Sequence, residues 1–237
     1  MTAIIGFIDN NGVFVAADRR RTNGIQRDLA KKIFPIIGSK IYITSAGSEM
    51  DSTRNKVISE ITKNKVTNLK DVVTVVQREF SYDFKLLQQE IIKRNEERTV
   101  TGEPLEKEPE LEVILFGIDE NQNTFIFTLD SDDDFININK KAANTVYGTG
   151  TFDNIIQPRA EKYFNHLKNG KQSIKLDEWA YVTMKDFVGR TLLKETISFP
   201  IDYVLIISEG IFNGVHPTDD ETIFAPQYIE RFNYELT

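Results

Sequence analysis

Four residues in the first fifth of the chain have the side-chain types that nucleophilic catalysis needs: Thr2, Asp18, Lys32 and Gly47. Because threonine is small, Met1 can be removed, which exposes an α-amine on Thr2 itself. An α-amine has an ordinary pKa of about 7.7–8.0, so it can serve near neutral pH as general base for its own hydroxyl. A Lys32 cation would lower that pKa further, Asp18 would fix and charge-balance Lys32, and the Gly47 amide is unobstructed for contact with an oxyanion.

A predicted β-hairpin at the chain start brings Thr2 and Asp18 together. Its apolar strands, 3–8 and 13–17, flank Asp9-Asn10-Asn11-Gly12, a strong hairpin signal. With a three-residue loop and Gly12 left-handed, Thr2 lies opposite Arg20 and shares a sheet face with Asp18. A two-residue loop would place Thr2 and Asp18 on opposite faces, so this prediction depends on the type of turn.

A second predicted hairpin supplies the other two groups. Its strands, 33–37 and 41–45, are joined at Gly38-Ser39-Lys40, which pairs Ile37 with Ile41. Lys32 then lies opposite Ala46 and next to Gly47. Pro35 cannot donate a ladder hydrogen bond, so its strand is predicted to lie at a sheet edge.

The remaining pattern groups helices in pairs between strands. Apolar residues recur with the period of a helix in four segments, and the segment 99–109 is predicted to be a loop. This order indicates a layered α+β protein rather than a doubly wound nucleotide fold. The predicted helices are 51–63, 71–98, 152–168 and 177–196, and the remaining strands are 111–119, 124–129 and 201–207.

Composition excludes several classes of function. The 237 residues include no cysteine, which excludes disulfides, thiol catalysis and iron–sulfur ligation and fits a reducing cytoplasm. The net charge of −7 argues against binding to nucleic acid. No signal peptide or apolar run of about 20 residues is present in the sequence, so we expect a soluble cytoplasmic protein without a membrane partner.

Familiar cofactor and metal motifs are also absent from the sequence. There is no GxSxG elbow or Walker A motif, and Gly148-Thr149-Gly150 lacks the third glycine of a dinucleotide loop. His166 and His216 have no ligand-spaced partners. The acidic run 130–134 lacks the glycine and glutamate of a calcium loop, so it is interpreted as a solvated turn. We therefore expect no metal and no organic cofactor.

Several motifs make the chain resemble proteasome β-type subunits and their bacterial proteasome-like relatives, which are N-terminal-threonine peptidases. The N-terminal block is specific, and the matches span most of the chain. The segment KETISFPIDYVLII at 194–207 is a weaker match, at the place of the family's acid-x-x-Ser segment. The matching pieces are Thr2 with Gly6, VFVAADRRRTNG at 13–24, KKIF at 31–34, TSAGS at 44–48 and YGTG at 147–150.

The resemblance implies a four-layer αββα sandwich, the N-terminal nucleophile hydrolase fold, as one domain over 1–237 with an extended helix and loop at about 84–110. It implies Thr2 as nucleophile, its amine as base, and Asp18 and Lys32 in support. Phe199-Pro200 departs from the family by replacing a glycine pair. The remaining implied roles are the Gly47 amide for the oxyanion, Thr22 for the substrate backbone, and Thr149, Glu195 and Ser198 as auxiliary groups.

Two other functions fit the same residues. A retained Met1 would block the amine and leave an inactive, proteasome-like ring or scaffold subunit. An amidase acting on a small molecule would use the same nucleophile in an enclosed pocket. For the peptidase, Arg21, Ser45 and Glu49 are candidates to line the primary pocket. The resemblance further implies a peptide or unfolded-protein substrate, self-assembly into a homo-oligomeric ring or spiral, and an unfoldase as a candidate partner.

Overall fold

A computed structural model of the chain describes residues 2–23, 26–36, 40–150, 152–190, 197, 199–216 and 233–235, with the backbone alone for 20–23, 26–29, 153, 216 and 233–235. Within these ranges the strands are β1 (Ala3–Ile8), β2 (Gly12–Asp18), β3 (Arg20–Asn23), β4 (Gln26–Leu29), β5 (Phe34–Ile36), β6 (Ile41–Gly47), β7 (Leu111–Ile118), β8 (Thr124–Asp130), β9 (Asn139–Lys140), β10 (Thr145–Gly150), β11 (Ser173–Lys175), β12 (Ile201–Ile207), β13 (Gly210–His216) and β14 (Asn233–Glu235). The α-helices are α1 (Asp51–Asn64), α2 (Leu69–Thr101), α3 (Asp153–Lys168) and α4 (Leu176–Val188).

Two five-stranded antiparallel sheets form the centre of the described structure. The first, with strand order β10-β1-β2-β12-β13, carries the start of the chain, and the second has the order β5-β6-β7-β8-β9. Two further pairs, β3 with β4 and β11 with β14, lie outside these sheets. Pro35 lies in β5, at the edge of the second sheet, as predicted for a residue that cannot donate to a ladder.

Three layers of buried apolar side chains hold the sheets and helices together. One packs the first sheet against α3 and α4 around Trp179, and a second packs the other sheet against α1 and α2 around Phe80. The third lies between the two sheets and includes Ile4 and Phe116. Helix pairs therefore cover the outer faces of two stacked sheets. The predicted α+β fold, a four-layer αββα sandwich, is confirmed.

The 33-residue helix α2 is defined at both ends. The Asn68 side chain accepts a hydrogen bond from the Asp71 amide at 2.8 Å, a typical N-cap, and Gly102 ends the helix in the left-handed conformation. Beyond Gly102 the chain runs back along the helix, where the Glu106 carboxylate binds Arg94 and Arg98, both at 2.9 Å. This return leads directly into β7.

The predicted hairpin registers were both wrong by one residue. Ile4 pairs with Ala17, because Asp9 and Gly12 close the hairpin and only Asn10 and Asn11 form the loop, one residue fewer than predicted. The Asp9 carboxylate causes this tighter turn: it accepts hydrogen bonds from the Asn11 and Gly12 amides at 2.9 and 3.0 Å. In the second hairpin Ile41 pairs with Ile36 instead of Ile37.

Other boundaries differ where the pattern was ambiguous. Helix α2 runs to Thr101, so the predicted loop at 99–109 begins later. The helix predicted over 177–196 ends at Val188, and residues 191–196 lie outside the described part of the chain. The short strands β3 and β4 were not predicted because residues 20–29 are polar and lack an alternating apolar pattern.

Candidate active site

Thr2, Lys32 and Asp18 meet at the open end of the first sheet. The Lys32 ammonium donates to Thr2 Oγ1 at 2.9 Å and to Asp18 Oδ1 at 3.0 Å. The same Asp18 oxygen accepts the Ala3 amide at 2.8 Å. Thr2 is 7% exposed and Asp18 is fully buried, so the charged pair lies where its attraction is only weakly screened by water. A hydroxyl oxygen is thereby held beside a buried cation.

This contact forms in spite of the register change. Side chains alternate along β1 and β2, and Ile4 and Ala17 face the space between the sheets whereas Ala3 and Ala16 face α3 and α4. Thr2 therefore belongs to the inter-sheet face and Asp18 to the opposite one. Lys32 joins them because its long side chain reaches both groups where the two strands end.

Lys32 is positioned by the chain that leads into the second sheet. It precedes Ile33, which is 1% exposed within the inter-sheet core, and β5 follows. The neighbouring Lys31 is exposed and lies over the Phe34 ring at 5.9 Å. Of two adjacent lysines, the one before the buried isoleucine reaches Thr2. The apolar residue that follows Lys32 distinguishes it in the sequence from Lys31.

Two glycines allow the backbone to close around this end of the sheets. A Cβ on Gly150 would lie 1.9 Å from the Thr2 carbonyl oxygen, and a Cβ on Gly47 would lie 2.1 Å from the Glu110 carbonyl oxygen. Both have φ in the left-handed region, +134° and +108°. Only glycine fits at either position. Gly47, Gly150 and Thr149 line one cleft with a volume of about 550 Å³.

A second charged pair braces the end of β2. The Arg19 guanidinium donates to Asp202 Oδ1 at 2.5 Å, and Asp202 is 5% exposed. Arg19 directly follows Asp18 in the chain, and its backbone amide also donates to the Pro200 carbonyl at 3.1 Å. The Phe199–Pro200 peptide, which stands at the family's glycine pair, is cis. Asp202 was not predicted as a site residue, because only the pairing of β2 with β12 brings it to this site.

The other predicted site residues are only partly placed. Thr149 lies on β10 and lines the cleft. Thr22 lies on β3, and its side chain falls outside the described atoms, as does that of Arg21. Glu195 and Ser198 are outside the described residues. Ser45 lies on the face of β6 that packs against α1 and α2, and Glu49 is exposed.

A set of carboxylates that was not predicted as part of the site lines the same cleft. Glu112 and Asp130 are direct partners in the pairing of β7 with β8, and both line the cleft. Burial, followed by the nearby Glu112, Asp132 and Asp133 carboxylates, raises the pKa of Asp130 to about 6, and Lys141 lowers it. The interpretation of Asp130 as part of a solvated turn was therefore wrong. Its signal in the sequence was the position directly after an apolar strand.

We expect Asp130→Asn to stabilise the protein at pH 7.5. The folded-state pKa of about 6 lies above the ordinary 3.8, so between these pH values the folded protein holds a proton that the unfolded chain has released. The stability of the native protein therefore falls relative to the variant as pH rises from about 4 to 6. Because the carboxylate is only partly buried, solvent screening limits the gain at pH 7.5 to about 1 kcal/mol.

Urea unfolding at pH 4 and pH 7.5 measures this difference. The matched control is Glu97→Gln on the exposed side of α2, which should change the free energy of unfolding by less than about 0.5 kcal/mol at either pH. An Asp130→Asn protein less stable than the native one at pH 7.5 would show that the carboxylate is stabilised in the fold.

Within the described residues there is neither a candidate metal site nor a helix that could span a membrane. No group of three or more His, Asp or Glu side chains within these residues could hold a metal ion. The helices of the described part are too short or too polar to span a bilayer.

Comparison with known proteins identifies the family. A search of curated proteins found no match. Residues 2–143, more than half of the chain, match the family model described as proteasome subunit. This range contains Thr2, Asp18, Lys32 and Gly47, whose spacing first indicated the resemblance, and the resemblance is thereby confirmed. The chain belongs to the proteasome subunit family.

Proposed function

We propose that the protein is a threonine peptidase that cleaves peptide bonds through Thr2 after removal of Met1. The observation that supports this most strongly is the hydrogen bond from the Lys32 ammonium to Thr2 Oγ1, with Asp18 holding the same ammonium. Because Lys32 donates to Oγ1, the hydroxyl proton of Thr2 is directed to another acceptor. After Met1 is removed, the α-amine of the same residue is an acceptor within reach.

Each proton and bond of the proposed reaction is accounted for by this set of groups. The amine takes the Thr2 hydroxyl proton as Oγ1 attacks the peptide carbonyl carbon, and the carbonyl oxygen becomes an oxyanion at the Gly47 amide. The carbon–nitrogen bond then breaks, and the ammonium gives its proton to the leaving amine. Water, deprotonated by the same amine, then attacks the resulting ester. The bond between the acyl carbon and Oγ1 breaks, the ammonium returns its proton to Oγ1, and the carboxylic acid product leaves. No cofactor enters any step.

Charge placement supports the direction of this reaction. The Lys32 cation lies 2.9 Å from the oxygen that gains negative character during attack, so its field favours the transition state. The same cation disfavours protonation of an amine on Thr2. It therefore lowers the pKa of that amine and increases the fraction in the neutral form, which can act as a base. Asp18 holds Lys32 through a buried ion pair, and its carboxylate also accepts a hydrogen bond from the Ala3 amide.

We further propose that Thr22 binds the substrate backbone and that Thr149, Glu195 and Ser198 keep the auxiliary roles implied by the family, within a single domain over 1–237. The chain would act in the cytoplasm as a homo-oligomeric ring or spiral, on peptides or unfolded proteins, with an unfoldase as a candidate partner. Family membership supports the assembly, and the lack of cysteine supports the compartment. Light scattering should give a mass several times the 27.2 kDa of one chain.

Replacing the nucleophile tests the proposed activity. Thr2→Ala should lower turnover of fluorogenic peptides by at least about a thousandfold, because it removes the attacking oxygen and leaves folding and the amine intact. Thr2→Ser, which keeps a hydroxyl, should retain measurable turnover. Alanine turning over peptides as fast as threonine would refute the proposal. If no variant cleaves peptides but a simple amide is hydrolysed, the amidase is correct; if neither substrate is cleaved and Met1 is retained, the protein is a scaffold subunit.

A further inference from the structure

The cleft beside Gly47 is the mouth of the space between the two sheets. Ala46, Glu112 and Asp130 line it from the second sheet, and Thr149 and Gly150 line it from the first. Thr2 ends on the same side, because Ala3 pairs directly with Gly150. A substrate held at Thr2 would therefore extend into or past this cleft. The inference drawn below rests on the proposed peptidase function.

Glu112 and Asp130 face into this space from neighbouring strands. Alternation places Glu112 on the same face as Ile114 and Phe116, and Asp130 on the same face as Ile126, all three of which belong to the inter-sheet core. The two carboxylates are direct partners across the strand pair. Like charges at directly opposed positions destabilise a sheet. Two acidic groups thus occupy adjacent positions at the end of an otherwise apolar layer.

A buried hydroxyl from the opposite sheet completes the wall. Tyr147 is 6% exposed, and within the described part of the chain its hydroxyl has no hydrogen-bond partner of acceptable geometry. It lies two residues before Thr149 on β10 and therefore on the same face, which lines the cleft. Burial and the Glu112 carboxylate raise the pKa of Tyr147 well above its usual range, so the hydroxyl stays protonated. A protonated hydroxyl, close enough to interact with Glu112 and Thr149, thus lies next to the carboxylates.

One cation of the described residues, Lys141, lies near this set. The Lys141 ammonium lies over the Tyr147 ring at 4.8 Å and lowers the pKa of Asp130. Among the described residues, however, it forms no salt bridge with Glu112 or Asp130. Asp132 and Glu110 add further negative charge to the lining. The described residues include no group of three or more carboxylate or histidine side chains that could hold a metal ion.

We propose that this cleft binds a cationic side chain of the peptide substrate, arginine or lysine, through Glu112 and Asp130. A guanidinium suits the site because its several N–H donors can bind two carboxylates at once. Its planar group can also stack on a phenol ring. The volume of about 550 Å³ is ample for one long side chain. Specificity of this kind comes from pairing charges that are costly to leave unpaired in the free protein.

Matched peptides that differ by a single charge test the proposal. Arginine and citrulline have nearly the same shape, but only arginine is charged. Each is placed in turn at the three positions on either side of the scissile bond of a quenched fluorescent peptide. At one position or more, kcat/KM should be at least about tenfold higher for arginine in the native protein. Glu112→Gln should reduce this ratio below threefold, and the control Glu97→Gln should leave it unchanged.

Equilibrium binding separates failure of the cleft from failure of the peptidase. Fluorescein-labelled forms of the same peptides are titrated with the Thr2→Ala protein, which cannot form an ester. If the arginine peptide binds tenfold more tightly but native protein cleaves no peptide, the proposal that the cleft binds a cation stands and the proposed peptidase activity is wrong. If the peptides are cleaved but kcat/KM for arginine and citrulline agrees within twofold at every position, only the proposal that the cleft binds a cation is wrong. Equal binding with no turnover would overturn both.

Discussion

Lys32→Met is expected to lower kcat/KM for peptides by roughly a thousandfold or more. The substitution keeps the length and the apolar stem of the side chain but removes the ammonium that donates to Thr2 Oγ1. It also leaves the fully buried Asp18 without its salt-bridge partner. Breaking a buried ion pair in this way costs about 3 kcal/mol of unfolding free energy. Activity and stability should therefore fall together in this variant.

Two further variants separate these effects. Lys31→Met removes the adjacent, exposed lysine and should change kcat/KM by less than about twofold. The double variant Lys32→Met with Asp18→Asn removes the unpaired charge and should recover most of the stability but none of the activity. Steady-state kinetics and urea unfolding on the same preparations measure both quantities. Recovery of activity together with stability would show that Lys32 has only a structural role.

Gly47→Ala is expected to lower kcat by about a hundredfold or more. An alanine Cβ at position 47 would lie 2.1 Å from the Glu110 carbonyl oxygen, and Gly47 has a φ of +108°, which disfavours any other residue. That carbonyl accepts the Ser48 amide at 2.6 Å, so the backbone at 47 and 48 must move as a unit to relieve the clash. The Gly47 amide would then be displaced from the position where we propose that it binds the oxyanion. The loss should appear mainly in kcat, because the oxyanion exists only after attack.

Gly102→Ala is the matched control for backbone strain. Gly102 also has positive φ, +73°, but an added Cβ would meet nothing within 4 Å. This variant should cost about 1 kcal/mol of stability at the end of α2 and leave kcat within twofold. If Gly47→Ala behaved like Gly102→Ala, the close approach at position 47 would have no part in the reaction.

Much of the layer architecture could be predicted because the local patterns agree with it. Strands β1 and β12 have the predicted boundaries, since each is a compact apolar run with polar or turn residues at its ends. Helix α2 was predicted to within three residues at either end for a similar reason, a long apolar stripe. These signals require only neighbouring residues. The order of strands in the sheets requires contacts that local patterns do not contain.

The register of the hairpins shows where local inference stops. The Asn-Asn-Gly segment is compatible with turns of two or three residues, and the side chain of Asp9 decides between them by accepting two backbone amides. The choice reverses the faces of Thr2 and Asp18. The two residues still share a cation because Lys32 can reach past the strand end. The sequence therefore predicted that Thr2, Asp18 and Lys32 meet, as they do, but with an incorrect register.

The carboxylates of the cleft and the Arg19–Asp202 ion pair could not be predicted from the sequence alone. Glu112 and Asp130 become neighbours only through the register of β7 with β8, and Tyr147 reaches them from the other sheet. Arg19 and Asp202 are separated by 183 positions in the chain. Single acidic residues at strand ends are common, so no pattern marks these as a group. Three-dimensional pairing supplies this information.

Intact mass of the protein before and after treatment with a peptide epoxyketone tests the central claim most directly. The probe carries two electrophilic groups, so an adduct that holds both requires a hydroxyl and a free amine on the same residue. We predict a starting mass without Met1 and a gain of one probe per chain, mapped to Thr2 and absent in Thr2→Ala. A protein that retains Met1 and gains no probe would contradict catalysis by Thr2.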